Sequence, residues 1–564
     1  MKANFKMVFS VFAMTSVLLT ACSGNPSAPN TDSSTNSSNK APNASSSADT
    51  GKQGHTPEEV TGLVKYDPPI ELSTVRSTDV NIKYAPGESM DKNAVYDAYE
   101  KELGIKLKND WVVNNDQYDA KIDLSVASGE IPDFFKVSQL QLKKLVDADL
   151  VMDLTDLFNN DLSDDAKKFF TETKQVDSAK FDGKLMAIPF TDSPTNSSTY
   201  IWLRKDWLDK LKLPEPKTMQ DVLKIAEAFS KQNPGGADKT YGLAAQKTLY
   251  AADFGLTGFF NGYHAYPGTW IKDQSGNLTY GSVQPEMKTA LKQLQEMYKA
   301  GLIDPEFGVK DSGKENELVT ANSLGMAYGA FWLGSFPLKM AAIKDKKTVQ
   351  DWAVYPIASI DDKPAMTQVT LGVNAYYVIS KKAKNPEAIF EILNHYAQPK
   401  RDPVYDKGVP NSDYYWKLNP LILYRPDLNV ISGSVLPEAL KTKDTSKLTT
   451  PDALQLYEDS INYLKGDGDN WNNWMKAKDG GTLEIMYDYS QQNRYLQNEF
   501  YTVPTATMAT KQSTLDAKEL EILTKIITNQ APIDDFDKFV TDWNNLGGDL
   551  ITKEVNDWYS SIKK

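Results

Sequence analysis

Cysteine is almost absent. Cys22 is the only one in 564 residues, so a fold stapled by disulfides is excluded. Arginine is nearly as scarce, standing only at Arg76, Arg204, Arg401, Arg425 and Arg494. Forked guanidinium recognition of carboxylates or phosphates is therefore open at few places, and an uncharged ligand is expected. His55, His264 and His395 are the only histidines, and they form no His-Glu-x-x-His or other metal-ligand spacing. No Gly-x-Ser-x-Gly elbow follows a strand-like run. A single apolar run is long enough to consider for a membrane, and it lies at the extreme N-terminus.

What is there is globular. The chain is 40% hydrophobic and 11% aromatic, too apolar to be disordered as a whole. Its length suggests three or four folding units, or one large two-lobed domain. Basic residues number 62 against 75 acidic ones, a net charge of -13. Losing the segment before Cys22 would remove Lys2 and Lys6 and deepen this to -15. A chain of that sign repels phosphate backbones, so nucleic acid is not an expected partner.

Residues 1–21 read as a secretory signal: Lys2 and Lys6, an apolar run from Met7 to Leu19, then Thr20 and Ala21. That run is short for a spanning helix. Leu19-Thr20-Ala21-Cys22 resembles the lipobox of bacterial lipoproteins. The resemblance implies that Cys22 is lipidated and becomes the mature N-terminus; a soluble secreted protein is the alternative. Residues 22–62 would then be the lipidated cysteine and a disordered tether of Ser, Asn, Thr, Pro and Gly. Such a coil reaches about 35 Å, and two acyl chains anchor stably.

Beyond the tether, strand-like and helix-like stretches alternate. Ile70 to Arg76 alternates as a strand, and the helix near Met90 to Leu103 stops at Gly104. Ile105 to Leu107 reads as strand, and Tyr118, Ile122 and Val126 share a helix face. Pro132 to Val137 and Tyr200 to Arg204 are further strands; Thr218 and Asp221 open a helix as a capping box. Trp270–Lys272 and Leu278–Tyr280 form a hairpin, Pro285 starts a helix that Gly301 ends, and Ile551, Val555, Trp558 and Ile562 line a last helix. The pattern predicts α/β architecture with a parallel sheet.

Asp182-Gly183-Lys184-Leu185-Met186-Ala187-Ile188-Pro189 and Leu203-Arg204-Lys205-Asp206-Trp207-Leu208-Asp209-Lys210-Leu211 resemble extracellular solute-binding proteins, family 1, of ABC importers. Val283 to Lys288, Gly301 to Phe307 and the end from Phe536 to Tyr559 resemble the large sugar-binding lipoproteins of the LipO/LplA type from Gram-positive bacteria. The resemblance implies a type II periplasmic-binding-protein-like fold, two lobes joined by crossover strands with a ligand cleft between them. It places one lobe at 63–181 and 353–400 and the other at 182–352 and 401–564. Crossovers are expected near Leu185 to Pro189 and Trp352 to Ile357. It further implies a monomeric, lipid-anchored protein on the outer face of the cell membrane. That protein would capture an oligosaccharide and pass it to ABC permease subunits without acting as an enzyme. A surface glycoside-active enzyme and a ligand-presenting co-receptor for a membrane sensor are the alternatives.

Sugar recognition needs aromatic faces for C–H surfaces and polar groups for hydroxyls. Gly325 to Trp332 resembles the family's small-residue strand whose tryptophan faces the cleft, which makes Trp332 the first candidate. Trp270 follows, then Tyr415 and Trp416 in a third aromatic cluster. Core packing competes for each of them, and is the expectation for Trp111, Trp207, Trp543 and Trp558. Loops after strands offer Arg76, Asp79, Asp192, Asn196 and Asn374. Some family members carry a calcium loop; the matching stretch, Lys231 to Gly242, has Asp238 as its one acid, so no metal is expected. Gly466 to Asn470 reads as a turn.

Overall fold

The computed structural model describes residues 63–78, 82, 84–398 and 418–563, all within one compact unit, Thr56–Lys564. Two large hydrophobic cores organise that unit. The first gathers residues between Leu72 and Phe190 with others between Tyr376 and Leu423. The second gathers residues between Tyr200 and Ala365 with others between Trp471 and Tyr559.

In the first lobe, β1 (Ile70–Thr78) pairs in parallel with β2 (Ile105–Asn114), Ile70 opposite Ile105. Helix α1 (Ala94–Leu103) connects them. Asn93 caps it by accepting from the Val95 and Tyr96 N–H groups. Gly104 ends it at φ 64°, where a Cβ would lie 2.1 Å from the Tyr66 carbonyl oxygen, so no larger residue fits. The β1 register slips between Thr74 and Val75. Alternation is lost there and Thr74, Val75 and Arg76 are all buried, as expected of a bulge that re-aims side chains. Helix α2 (Asn115–Ser128) follows β2 directly.

β3 (Phe134–Val137) lies beside β1, tied to it through Ser73, whose N–H and Oγ donate to Asp133 at 2.7 and 2.9 Å. Helix α3 (Gln139–Asp147) begins with a Ser138/Gln141 capping box. β4 (Ile188–Thr191) completes the first lobe's strands on the outward pass. In the second lobe β5 (Thr199–Arg204), buried at all six residues, runs between β6 (Met326–Ala330) and β7 (Trp352–Tyr355) and antiparallel to both. β8 (Thr367–Val369) pairs in parallel with Tyr495–Gln497. β9 (Val373–Ile379) then enters the first lobe between β3 and β4, antiparallel to each.

The α/β expectation holds, but the parallel sheet is realised only in the β1–β2 and β8–Tyr495–Gln497 pairs, while both three-stranded sheets are antiparallel throughout. β9 arrives from the other lobe and so enters its sheet against the direction of its neighbours. The cores also divide the chain elsewhere than the lobe limits expected from the sequence. Leu185, Ala187, Ile188 and Phe190 belong to the first core, while Trp352, Val354, Ile357 and Ala365 belong to the second. Apolar runs are retained inside sheets, and the crossings follow them in short polar stretches, 192–198 and 370–372. Leu418, Leu421 and Leu423 return to the first core before the chain leaves through Tyr424.

These crossings are bound side by side. The Asp192 N–H donates to the Gly372 carbonyl at 2.7 Å, and the Tyr424 N–H to the Thr191 carbonyl at 2.9 Å. Gln175, wholly buried, donates through Nε2 to the carbonyls of Asp192, Leu371 and Gly372 at 2.7, 3.1 and 2.9 Å. Gly372 stands at φ 71° with its Cβ position 2.5 Å from the Asp192 carbonyl oxygen, so only glycine allows the approach.

Candidate functional site

Open α/β sheets place ligands outside the carboxyl ends of their strands. A cavity of about 260 Å³ lies at that edge of the first lobe. Its wall takes Arg76 and Ser77 from the end of β1, Asn115 from the start of α2, Lys136 from β3 and Phe190 from β4. Tyr118 and Tyr377 add two more rings, and Asn419 closes one side.

The aromatic rings form a short ladder. Phe190 stacks on Tyr377 with centroids 5.8 Å apart and planes at 29°, and on Tyr424 at 6.1 Å and 18°. Tyr377 and Phe190 are buried, whereas Tyr424 is 36% exposed, so the ladder runs from the core outward to solvent. Tyr377 is fixed at its hydroxyl, which accepts from the Ile422 N–H at 2.9 Å. Its burial raises its hydroxyl well above the ordinary tyrosine range.

Two cations line the same cavity. Arg76 is 8% exposed, and its Nη1 donates to the Tyr96 hydroxyl at 3.1 Å and the Leu418 carbonyl at 2.9 Å. It thereby pins the returning segment against β1. Lys136 is half-buried, its Nζ 5.6 Å from the centroid of the Tyr118 ring. Tyr118 in turn donates its hydroxyl to the Lys136 carbonyl at 3.0 Å. Burial first, and the Arg76 charge second, push the Lys136 ammonium below its usual range.

A second cavity of about 330 Å³ joins the two lobes at the start of β9. Ser138, Gln139 and Asn374 face it from the first lobe, Asn498 and Tyr501 from the second. Beside it Glu499 bridges Lys174 and Lys272, each at 3.3 Å, and thus ties the lobes by an ion pair.

The residues expected at the site are dispersed. Arg76 reaches the first cavity and Asn374 the second. Asp192 and Asn196 sit in the crossing, where Asn196 Nδ2 donates to Asp192 Oδ1 at 2.9 Å and Asn429 donates to Asn196 at 2.7 Å. Trp332 is half-buried just after β6, its carbonyl accepting from the Ser335 and Phe336 N–H groups. Trp270 is 3% exposed, packed 5.3 Å from Tyr280 in the second core. Its ring is core, because the hairpin that carries it is covered by the C-terminal helices. Trp207 and Trp543 are buried as expected, while Trp111 and Trp558 are half-buried. Cys22, Asp79, Tyr415 and Trp416 lie outside the described residues. Asp467 and Asp469 form a capped turn that binds Lys346, and among the described residues no cluster of three metal-ligating side chains occurs. Nothing in the sequence pattern marks Lys136, Tyr377 or Tyr424 as site residues. Phe190, lying two residues beyond the apolar Leu185–Ile188 run at a strand's carboxyl end, carried the only usable signal.

Two α/β lobes joined by paired crossings, with a cavity at one sheet's carboxyl edge, define the class: a two-lobed solute-binding fold. The family model for bacterial extracellular solute-binding proteins matches residues 85–401, more than half of the chain, and the chain belongs to that family. It is 25% identical over 242 residues to the polygalacturonan/rhamnogalacturonan-binding protein YtcQ of Bacillus subtilis (strain 168), covering 41% of this chain and 45% of that protein. It is likewise 25% identical over 258 residues to the fructooligosaccharide ABC transporter substrate-binding protein FusA of Streptococcus pneumoniae, covering 42% and 46%. The chain thus spans about half the length of the curated relatives it matches. A crystal structure of an extracellular solute-binding protein from Bifidobacterium longum subsp. infantis aligns with a TM-score of 0.61 at 15% identity, over 89% of this chain and 100% of that one, a likeness of fold.

Proposed function

We propose that this protein captures an extracellular saccharide between its lobes and hands it, chemically unchanged, to an ABC import permease. The observation that carries this reading is the Tyr377–Phe190–Tyr424 ladder opening from a polar cavity at the carboxyl edge of the first lobe. Tyr424, the exposed end of the ladder, can offer a ring face to the C–H surface of a pyranose, and Asn115, Ser77 and Asn419 can exchange hydrogen bonds with its hydroxyls. The printed names of YtcQ and FusA, both carbohydrate binders, support the same class of ligand. Closure would occur about the crossings 192–198 and 370–372, with ligand shifting the hinge equilibrium by its greater affinity for the closed form. In this reading the lobes meet where the cores divide, the Cys22 lipid holds the monomer at the outer membrane face, and residues 23–62 serve as its tether. Among the described residues no helix is long and apolar enough to cross a membrane.

Capture rather than cleavage is supported by the printed names of YtcQ and FusA, which describe binding proteins; glycoside hydrolysis would place two carboxyl groups across the scissile bond. A thermal-shift screen of the full chain against neutral and acidic oligosaccharides tests the reading, with the glycan recovered and weighed afterwards. Saturable stabilisation with intact glycan is expected; a shortened glycan, or no stabilisation by any glycan, refutes it.

A further inference from the structure

A third cavity, of about 660 Å³, is larger than either of the two above and belongs to the second lobe alone. Its floor is β7, and its walls carry Tyr463, Trp471 and Trp474 beside Asp351 and Lys478. It starts at Trp352, which pairs with Arg204 at the end of β5 remote from the crossing 192–198. We propose that this cavity is a second binding site, and that it takes a short peptide with free termini, laid along β7 as an added strand.

β7 is the edge of its sheet: it pairs with β5 on one side and, among the described residues, with no strand on the other. The Lys205 N–H donates to the Asp351 carbonyl at 2.7 Å, which fixes the phase of the antiparallel ladder. Ala353 and Tyr355 therefore turn their N–H and C=O groups toward β5, while Trp352 and Val354 turn theirs to the side where the cavity lies. Two donors and two acceptors then stand in a row with a repeat of about 7 Å, a spacing that another extended backbone reproduces. Pro356, which has no N–H, ends the row, so the added strand is a short one.

The charges of the wall suit the two ends of such a peptide. Lys478 makes no ion pair among the described residues, and its Nζ donates to the Asp479 carbonyl at 3.3 Å. Burial pushes its ammonium below the usual range, against the pull of Asp351, Asp479, Glu484 and Glu215. Asp351, which adjoins the row, has no ion-pair partner either: of the two cations that act on it, Lys205 is held by Asp209 and the other is Lys478 itself. Arg494 and Glu215 are engaged, the first with the Ala365 and Ile357 carbonyls at 3.0 Å each, the second with the Tyr355 hydroxyl at 3.2 Å. One unmatched charge of each sign, too far apart to pair with the other, fits the ammonium and carboxylate of a single small zwitterion. Tyr463 and Trp474, both half-buried, stack with centroids 5.7 Å apart and planes at 25°, and offer an apolar surface to a peptide side chain.

Calorimetry on the full chain tests this with six tripeptides, Ala-X-Ala, where X is Ala, Leu, Tyr, Trp, Lys or Glu. Each is used with free termini, with acetylated and amidated termini, and with both peptide nitrogens methylated. At least one free-ended peptide is expected to bind saturably, and to weaken about tenfold or more on blocking its ends and likewise on methylation. Lys478→Gln is expected to weaken the free-ended form about tenfold and the blocked form less than about threefold. Tyr424→Ala, in the first lobe, should leave both unchanged. Binding by none of the six, affinities indifferent to blocking or to methylation, or loss of peptide binding in Tyr424→Ala overturns the proposal. None of these outcomes bears on the saccharide reading, which stands or falls with the glycan screen.

Discussion

Gln175 holds the crossings together, and its replacement by leucine has a calculable outcome. One amide nitrogen serves three carbonyls, those of Asp192, Leu371 and Gly372. Gly372 would keep a partner, since it also accepts from the Asp192 N–H at 2.7 Å. The carbonyls of Asp192 and Leu371 would lose theirs. Each buried acceptor left without a donor costs about 1–3 kcal/mol, and leucine nearly preserves the volume of the side chain. Gln175 Oε1 already lacks a partner, so nothing further is lost on that side. Two fully buried acceptors would cost about 2–6 kcal/mol; because Asp192 and Leu371 are half-buried and water can replace part of the loss, Gln175→Leu should lower stability by about 2–4 kcal/mol. In urea unfolding followed by tryptophan fluorescence this appears as an earlier midpoint with an unchanged slope. Gln139→Leu, at the partly exposed first turn of α3, serves as the control and should stay within about 0.5 kcal/mol. A Gln175→Leu loss no larger than that control would refute the claim that this residue staples the hinge.

Three other perturbations have defined outcomes. Tyr424→Ala removes the outer ring of the ladder; glycan affinity should fall roughly two- to tenfold, and calorimetry showing parental affinity would place the ligand elsewhere. Glu499→Gln breaks the Lys174 and Lys272 pairs and should favour the open form by about 0.5–1 kcal/mol, an effect that fades with added salt in scattering measurements. Glu315, wholly buried with neither carboxylate oxygen hydrogen-bonded, is pushed up by burial from 4.5 to about 8. Because the folded state binds this proton more tightly, its contribution is full below pH 4.5 and is lost as pH rises to about 8. Glu315→Gln should match the parent near pH 4 and exceed it at pH 9 by roughly 3–5 kcal/mol; parallel stability curves would contradict this.

Local signals in the sequence were reliable where a single physical cause acts alone. Gly104 ends α1, Thr218 and Asp221 form the expected capping box, and Trp270–Lys272 pairs with Leu278–Tyr280. Each is decided within a few residues. The crossings were not legible, because Leu185 to Pro189 and Trp352 to Ile357 have the extended, apolar character of bridging segments and of buried strands alike. Only the position of their partners, β9 for one and β5 for the other, separates the two. The site suffered from the same limit. Trp270 carries the same ring whether it faces solvent or the C-terminal helices, and Lys136 gains its meaning from Arg76, 60 positions away in the chain and brought alongside by β1 and β3.

The most direct test of the account measures the lobes themselves. Leu124 is 71% exposed in the first lobe and Val309 is 80% exposed in the second, so Leu124→Cys and Val309→Cys in a Cys22→Ser chain accept spin labels without touching either core. The distance distribution between them should shift and narrow on saturation with a glycan that stabilises the protein, and Phe190→Ala should abolish the shift. A distribution that is the same with and without every stabilising glycan would contradict capture by closure.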